Sequence, residues 1–398
     1  MSSSNLVRVS FIEEAVLGET PVAGDFETVR FTSESLSGTP TTTASQQIRS
    51  DRMSSGQIAV GLEVGGEINF ELAKDAGLEK FMESAMLNEW DTQALQSVDL
   101  ELEAGIKVIS RASGDFNATL DVGDIISLSG FSNSVNNTQA QVTAIINGGL
   151  GIKVVFNEAN GPVVDEVGAG TSYKRADRLQ IGSTKKSFTM EKAFLDLADK
   201  ALVYKGQLAN TLSFNVAYGE IVTGTVGFNG TKYEAADSAA EFATNGRIIA
   251  QASTTNAFNG SIDMPFVNSS STGVLDEATF CIQSASLSLN NNLQAQTCIG
   301  EAAPKDYSPG EASIEVSLSA YLADANWNFL AKKLSQEPFA LGFMIKNAGG
   351  FYGFYLPAIQ TTFSDPASGG ANQQISLEMT GTAKVGENGE SALYIYRG

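Results

Sequence analysis

The chain has 398 residues, a formal net charge of −20 and a pI near 4.4, with 42% apolar and 18% charged residues. That charge repels nucleic-acid phosphates, and the lack of any histidine excludes imidazole metal sites and histidine-based catalysis. The length fits two or three domains able to bury a core without metals or disulfides. The 39 glycines, among Thr-, Ser- and Asn-rich segments, lean toward an all-β fold.

Cys281 and Cys298 fit no zinc spacing. They flank a hairpin turn expected at Asn290-Asn291-Asn292, which leaves a disulfide open, but nothing indicates secretion, so two reduced thiols are expected. The start, Met1 to Asn5, has neither the basic nor the apolar region of a signal peptide. No apolar run approaches about 18 residues, so no membrane span is expected. Synthesis in the cytoplasm follows as the expectation.

Residues 1–32 read as an arm, with Val7, Val9 and Phe11 alternating before Gly18-Glu19-Thr20-Pro21 breaks the run. Two uses are open for it: packing on a neighbouring subunit, or an ordinary edge strand. From Gly56 the organising stretch begins. Ile58, Val60, Leu62 and Val64 alternate with small or polar residues, and after Gly65-Gly66 the same phase resumes at Ile68, Phe70 and Leu72. Period two means a strand with one buried face. Asp75 then caps a helix whose apolar positions, Leu78, Phe81, Met82 and Ala85, lie on one side.

The pattern returns downstream. Ile314, Val316 and Leu318 alternate, and Asp324 precedes Trp327, Leu330, Ala331 and Leu334 at the same offsets from the aspartate. Ser33-Glu34-Ser35-Leu36-Ser37 opens the first copy and Ser284-Ala285-Ser286-Leu287-Ser288 the second. Thr223-Gly224-Thr225 closes one and Thr380-Gly381-Thr382 the other. This reads as an internal duplication.

The copies differ in length. Asp75 to Thr223 spans 148 residues and Asp324 to Thr380 spans 56, a difference of 92. Short strands with tight turns, from Phe116 through Val122-Gly123-Asp124 to Phe156, place the extra residues in a small inserted β-barrel at 105–177. Such an insert is expected to be separable from its host. The first copy is then discontinuous, 33–104 and 178–228. Residues 229–278 form a polar linking region, and the second copy occupies 279–398.

Sites of chemistry are hard to find. No phosphate-binding Gly-rich-Lys-Ser/Thr run is present. Asp121 and Asp124 around Gly123 read as a turn rather than a calcium loop. Neither an enzyme nor a cofactor is expected. One constellation stands out: the odd-numbered face of the strand at 57–72 carries Glu63, Glu67 and Glu71, and the second copy offers Glu311 and Glu315. Both copies turn an acidic, small-residue face away from the core. A solvated sheet face remains one reading of that pattern.

Gly18-Glu19-Thr20-Pro21, Arg30-Phe31-Thr32-Ser33-Glu34-Ser35-Leu36 and Ile48-Arg49-Ser50-Asp51-Arg52, in this order, resemble tail tube (major tail) proteins of long-tailed bacteriophages. The Gly56-Gln57-Ile58 strand with its Glu-rich face and following helix is similar too. So are Val122-Gly123-Asp124 with Asn136-Asn137, and Tyr352-Gly353-Phe354-Tyr355-Leu356-Pro357. The resemblance implies tube-type β-sandwich domains with one flanking helix each. Six such domains close into a ring barrel, and the rings stack as a virion tail tube, assembled in the host cytoplasm. The tube holds the tape measure protein, meets the tail terminator and tail tip proteins, and conducts DNA without specific binding.

With two copies per chain, three chains suffice for a pseudo-sixfold ring. On this reading Glu63, Glu67, Glu71, Glu311 and Glu315 face the lumen, and Arg49, Asp51 and Arg52 lie at contacts between domains. The competing reading is a surface-displayed β-rich binding or adhesion protein that uses its inserted domain.

Overall fold

The computed structural model describes every residue except 1, 2, 49, 52, 54, 55, 261–265, 270–274, 278–280, 325, 326, 328, 329, 331–336, 367–369, 371, 372, 387 and 388. The fold is mainly β. Its principal strands are β1 (Val7–Glu14), β2 (Ser37–Ala44), β3 (Gln57–Glu71), β4 (Ser187–Phe194), β5 (Ala201–Ala217), β6 (Thr223–Gly230), β7 (Ile282–Asn290), β8 (Ser313–Tyr321), β9 (Phe339–Asn347), β10 (Gly350–Phe363), β11 (Ser376–Lys384) and β12 (Tyr394–Arg397).

β3 runs unbroken through Gly65-Gly66. Both glycines take positive φ, 151° and 145°, and a Cβ on either would stand within 2.4 Å of a neighbouring carbonyl oxygen. Only glycine lets the strand bend there with its neighbours so close. Helix α1 (Ala76–Met86) follows as the sequence predicts. The Asp75 carboxylate accepts the Leu78 N–H at 3.1 Å, and Leu87, in the left-handed conformation, ends the helix. Its apolar stripe is buried, and Phe81 lies 4.7, 5.2 and 5.1 Å from the rings of Phe11, Phe188 and Phe228.

The helix expected after Asp324 falls largely outside the described residues, Ala331 and Leu334 among them. Of its remaining apolar positions, Leu330 packs on the core, whereas Trp327 is 58% exposed.

One long antiparallel sheet runs in the order β2–β3–β6–β5–β7–β8–β11–β10. The order of the first four strands is repeated by the second four. The correspondence extends outward. The first half of β5 lies between β4 and Lys232–Ala236, and the first half of β10 lies between β9 and β12. Strand β1 adds to β4. A single buried cluster passes through both units, from Phe70 and Phe214 to Phe354 and Phe343, with ring separations of 6.1, 5.0 and 4.9 Å. Lys232–Ala236, inside the segment expected to be a polar link, is a rung-forming strand.

The inserted segment builds its own sheet of eight short strands around Leu102, Ile109, Phe116, Val142 and Tyr173. This sheet takes in Gln96–Ser97 and Leu100–Glu103, upstream of residue 105. It does not hang free. Ile125, Val155 and Ala176 share a buried cluster with Met344, Phe351, Tyr355, Tyr394 and Tyr396 of the second unit. Directly after the insert, Asp177–Gln180 pairs with β12.

Cys281 and Cys298 are exposed free thiols. The hairpin expected between them does not form. β7 pairs with β5 and β8, and Gln294–Gln296 pairs instead with Asp306–Ser308.

Candidate functional site: the polar face of the long sheet

Opposed residues in an antiparallel ladder point to the same face, so the registers define rows across the sheet. One row reads Phe70, Gly224, Phe214, Leu287, Val316, Gly381 and Thr361. It faces the core. The two glycines explain the repeated Thr-Gly-Thr. A Cβ at Gly224 would meet Phe70 Cζ at 2.4 Å, and one at Gly381 would meet Ile359 Cγ2 at 2.8 Å.

The next row lies on the opposite face. It reads Ser33, Asn69, Thr225, Ser213, Ser288, Glu315, Thr382 and Gln360. Its members bond sideways: Asn69 Nδ2 donates to Ser33 Oγ at 2.9 Å, and Thr225 Oγ1 donates to Asn69 Oδ1 at 2.6 Å. A further row holds Glu71, Thr223, Asn215, Ser286, Ser317, Thr380 and Thr362.

Glu63, Glu67, Glu71 and Glu315 are exposed, and alternation puts all four on this polar face. Glu311 is exposed but precedes β8, in the connection from β7. Sequence reasoning missed Glu378, which accepts from Ser319 Oγ at 2.7 Å on the same face. The signal was present, since alternation around Leu377 and Met379 assigns Glu378 to that side. Lys384 is the one cation among the described strand positions of this face. Beside Glu63 and Glu67 a groove of about 990 Å³ separates β2 and β3 from the 295–307 connection.

Of the three residues expected at domain contacts, Arg49 and Arg52 lie outside the described set. Asp51 is exposed and accepts the Met53 N–H at 3.1 Å.

Charge is handled differently away from this face. Glu14, buried, accepts four hydrogen bonds, from Gly18 N, Gly206 N, Ser187 Oγ and Thr189 Oγ1, at 2.7–2.9 Å. At the root of the insert, Arg178 contacts Asp121 at 2.7 Å and Asp124 at 3.3 Å, and the Tyr396 hydroxyl donates to Asp124 at 3.1 Å. Burial pushes the Asp124 carboxyl up from its ordinary value, against the pull of Arg178. Burial also works against the Arg178 charge, but Asp124 and Asp121 outweigh it and hold the guanidinium protonated. These groups fasten the insert to the second unit. Among the described residues, no group of three or more acidic or sulfur ligands is placed to hold a metal ion, and no helix is long and apolar enough to cross a membrane.

A long sheet with one buried and one polar face, and with an open strand at each edge among the described residues, has the form of a structural subunit of a larger β assembly. The family model described as phage tail tube protein matches residues 4–383, and the chain belongs to that family. Membership carries a structural role in the virion tail, self-assembly into a tube and contact with other tail parts. No curated protein matches the chain.

Proposed function

We propose that three chains close into a pseudo-sixfold ring and that these rings stack as the wall of the tail tube, around the tape measure protein and later around DNA. The two four-strand units are the tandem tube-type domains: in the first, the residues of 33–104 and 178–228 that lie outside the inserted sheet, and in the second, 279–398. The insert at 105–177 sits on the outside. The observation that carries this reading is the internal joint. β5, the last strand of the first unit, pairs with β7, the first of the second, over seven residue pairs from Thr211–Asn290 to Ala217–Ser284.

Among the described residues, the counterparts of those two strands are left open. They are the stretch 33–38, opposite residues 64–69 of β3, at one edge of the chain, and the stretch of β10 after residue 359 at the other. Joining one chain's β10 to the next chain's stretch 33–38 repeats the internal joint and closes the long sheet on itself. Eight strands from each of three chains, spaced about 4.8 Å and tilted about 40°, give a backbone radius of roughly 24 Å. Six chains would double it.

The polar face then lines the lumen, with Glu63, Glu67, Glu71, Glu315 and Glu378 on the wall and Glu311 near its rim. Carboxylates offer phosphate nothing to replace its counterions, so DNA passes without specific binding. Arg49, Asp51 and Arg52 contact a neighbouring domain. The ends of the stack meet the tail terminator and tail tip proteins, and assembly takes place in the host cytoplasm.

Native mass spectrometry of dissociated rings, with cryo-microscopy cross-sections of the tube, tests the proposal. Three chains, three outer densities for the insert and a radius near the smaller value are expected. Six chains, or six equivalent inserts, would overturn it.

A further inference from the structure

Lys384, exposed on β11, is the one cation among the described strand positions of the polar face. A lone lysine there offers a phosphate a contact unless a carboxylate holds it. Within the chain, Glu315 lies diagonal to it across the β8–β11 ladder, opposite Thr382. No ion pair joins the two, and among the described residues the Lys384 side chain has no ionic partner.

Lys384 stands one strand in from the open edge, opposite Ala358 of β10. Near the other edge Glu63 stands one strand in, opposite Thr39. It too is exposed and without an ionic partner among the described residues. The internal joint shows how such edges meet. Phe214 lies beside Leu287, with Gly224 on its other side. Thr361 likewise has Gly381 on one side, and Leu36 holds the place of Leu287 in the repeated Ser-x-Ser-Leu-Ser opening. Repeating the joint between chains sets Thr361 beside Leu36 and Gln360 beside Ser37. The row through that rung reads Thr382, Gln360, then Ser37 and Gly65 of the next chain. Two residues further toward the same end, Lys384 and Glu63 come onto one line. Three strand spacings separate their backbones, about 14 Å. Ala358 and Thr39, between them, are small, so the two long side chains can lean together over them.

The internal joint carries no such charges. Its row reads Thr225, Ser213, Ser288 and Glu315, and two residues further stand Gly227 and Ser313, both neutral. Opposite charges flank only the two edges that have to find each other in solution. They also separate right encounters from wrong ones. Two β10 edges brought together would oppose Lys384 with Lys384, and two first-strand edges Glu63 with Glu63, whereas unlike edges attract.

We propose that Lys384 of one chain and Glu63 of the next form an ion pair across the chain-to-chain joint, and that this pair selects the head-to-tail edge match that closes the ring. This rests on the ring reading and deepens it. It also accounts for a cation on an acidic wall, since the neighbouring chain holds that charge and withholds it from DNA.

The test uses full-length chains, with rings scored by negative stain and native mass spectrometry. Lys384→Glu and Glu63→Lys should each lower the ring yield about tenfold at physiological salt, with circular dichroism unchanged. Both changes in one chain restore an attractive pair of reversed sign, and rings should return to about the wild-type yield. At about 1 M salt, where the screening length is about 3 Å, the differences among the four proteins should shrink. In an equal mixture of the two single variants only contacts between unlike variants attract. Chain pairs should then form, but a ring of three keeps one repelled joint and should not close. Closed rings in full yield from that mixture would support the pairing and refute the three-chain count. Single variants that form rings at the wild-type yield would overturn the proposal. So would a folded double variant no better than the singles. A wild-type chain that forms no ring refutes the ring reading itself, and the pair with it.

Discussion

The seam between the insert and the second unit supports a quantitative prediction. A Cβ added at Gly353 of β10 would stand 2.1 Å from Ile125 Cδ1, which reaches across from the inserted sheet. Gly353→Ala therefore overpacks the seam, at about 1–3 kcal/mol. Ile125 is 2% exposed, and cutting it to alanine costs about 2–5 kcal/mol. In the double variant the new methyl enters space that Ile125 has left. The two costs should then fail to add, with a coupling of about 1–3 kcal/mol in the favourable direction. Alanine's backbone advantage over glycine in a strand, about 0.5–1 kcal/mol, is common to both backgrounds and cancels in the cycle. Urea unfolding of the four proteins, followed by near-ultraviolet circular dichroism, measures the coupling. Hydrogen exchange in Tyr394–Arg397 gives a local reading of the same seam. A separable insert on a tether, which the sequence pattern suggests, predicts additivity within about 0.5 kcal/mol. That result would refute the seam.

Three further outcomes follow from the geometry. The native Asp124 carboxyl binds its proton at higher pH than the unfolded value of 3.8, so its contribution to stability is present at low pH and lost as pH rises through the raised value. The difference in unfolding midpoint between wild type and Asp124→Asn should fall with pH across that interval, and a flat difference would contradict the assignment. Asp75→Ala removes the cap on α1 and should cost about 1 kcal/mol, mostly recovered by Asp75→Ser; equal midpoints for all three proteins would show that the cap is idle. Lysine at Glu67 and Glu315 should leave tubes intact and slow DNA ejection from particles, since wall charges act within a screening length of roughly 8 Å; ejection at the wild-type rate would remove those residues from the lumen.

What the sequence discloses is local. Asp75 and the spacing of Leu78, Phe81, Met82 and Ala85 suffice for α1, because a helix makes its own hydrogen bonds and its face is set by period. Alternation likewise assigns Phe70 and Glu71 to opposite faces of β3. The seam was illegible for a physical reason. Ile125 and Val155 look like any apolar residues of short strands, and period two gives a face without naming the body that covers it. Glu14 is harder still. Its partners Ser187, Thr189 and Gly206 lie at least 173 residues away, so nothing near Glu13-Glu14 distinguishes a buried acceptor from a solvated carboxylate. Ile58 and Val60 present the same difficulty, since they continue the alternation of β3 without a break and only the end of β6 at Gly230 leaves them exposed.

The charge distribution on the polar face supports the proposal that it lines a lumen rather than being an ordinary wet surface. An exposed sheet face usually mixes lysine with glutamate, because opposite charges on neighbouring strands favour each other. On the polar face Glu63, Glu67, Glu71, Glu315 and Glu378 stand among Ser, Thr, Asn and Gly, with Lys384 the one cation among the described strand positions. Several described cations are paired elsewhere. Lys80 pairs with Glu27, Lys186 with Glu83, Lys200 with Asp237 and Lys205 with Glu234, all off this face. Burying the other face of the sheet requires none of this segregation. The proposed passage of a polyanion would: each lysine on such a wall would give a phosphate a contact, and a few along the column would turn a conduit into a binding site. On that proposal, small hydroxyl and amide side chains keep the wall wetted, and the sparse carboxylates keep it repulsive. The same face would tolerate almost any polar substitution that leaves the fold intact, except those that add positive charge.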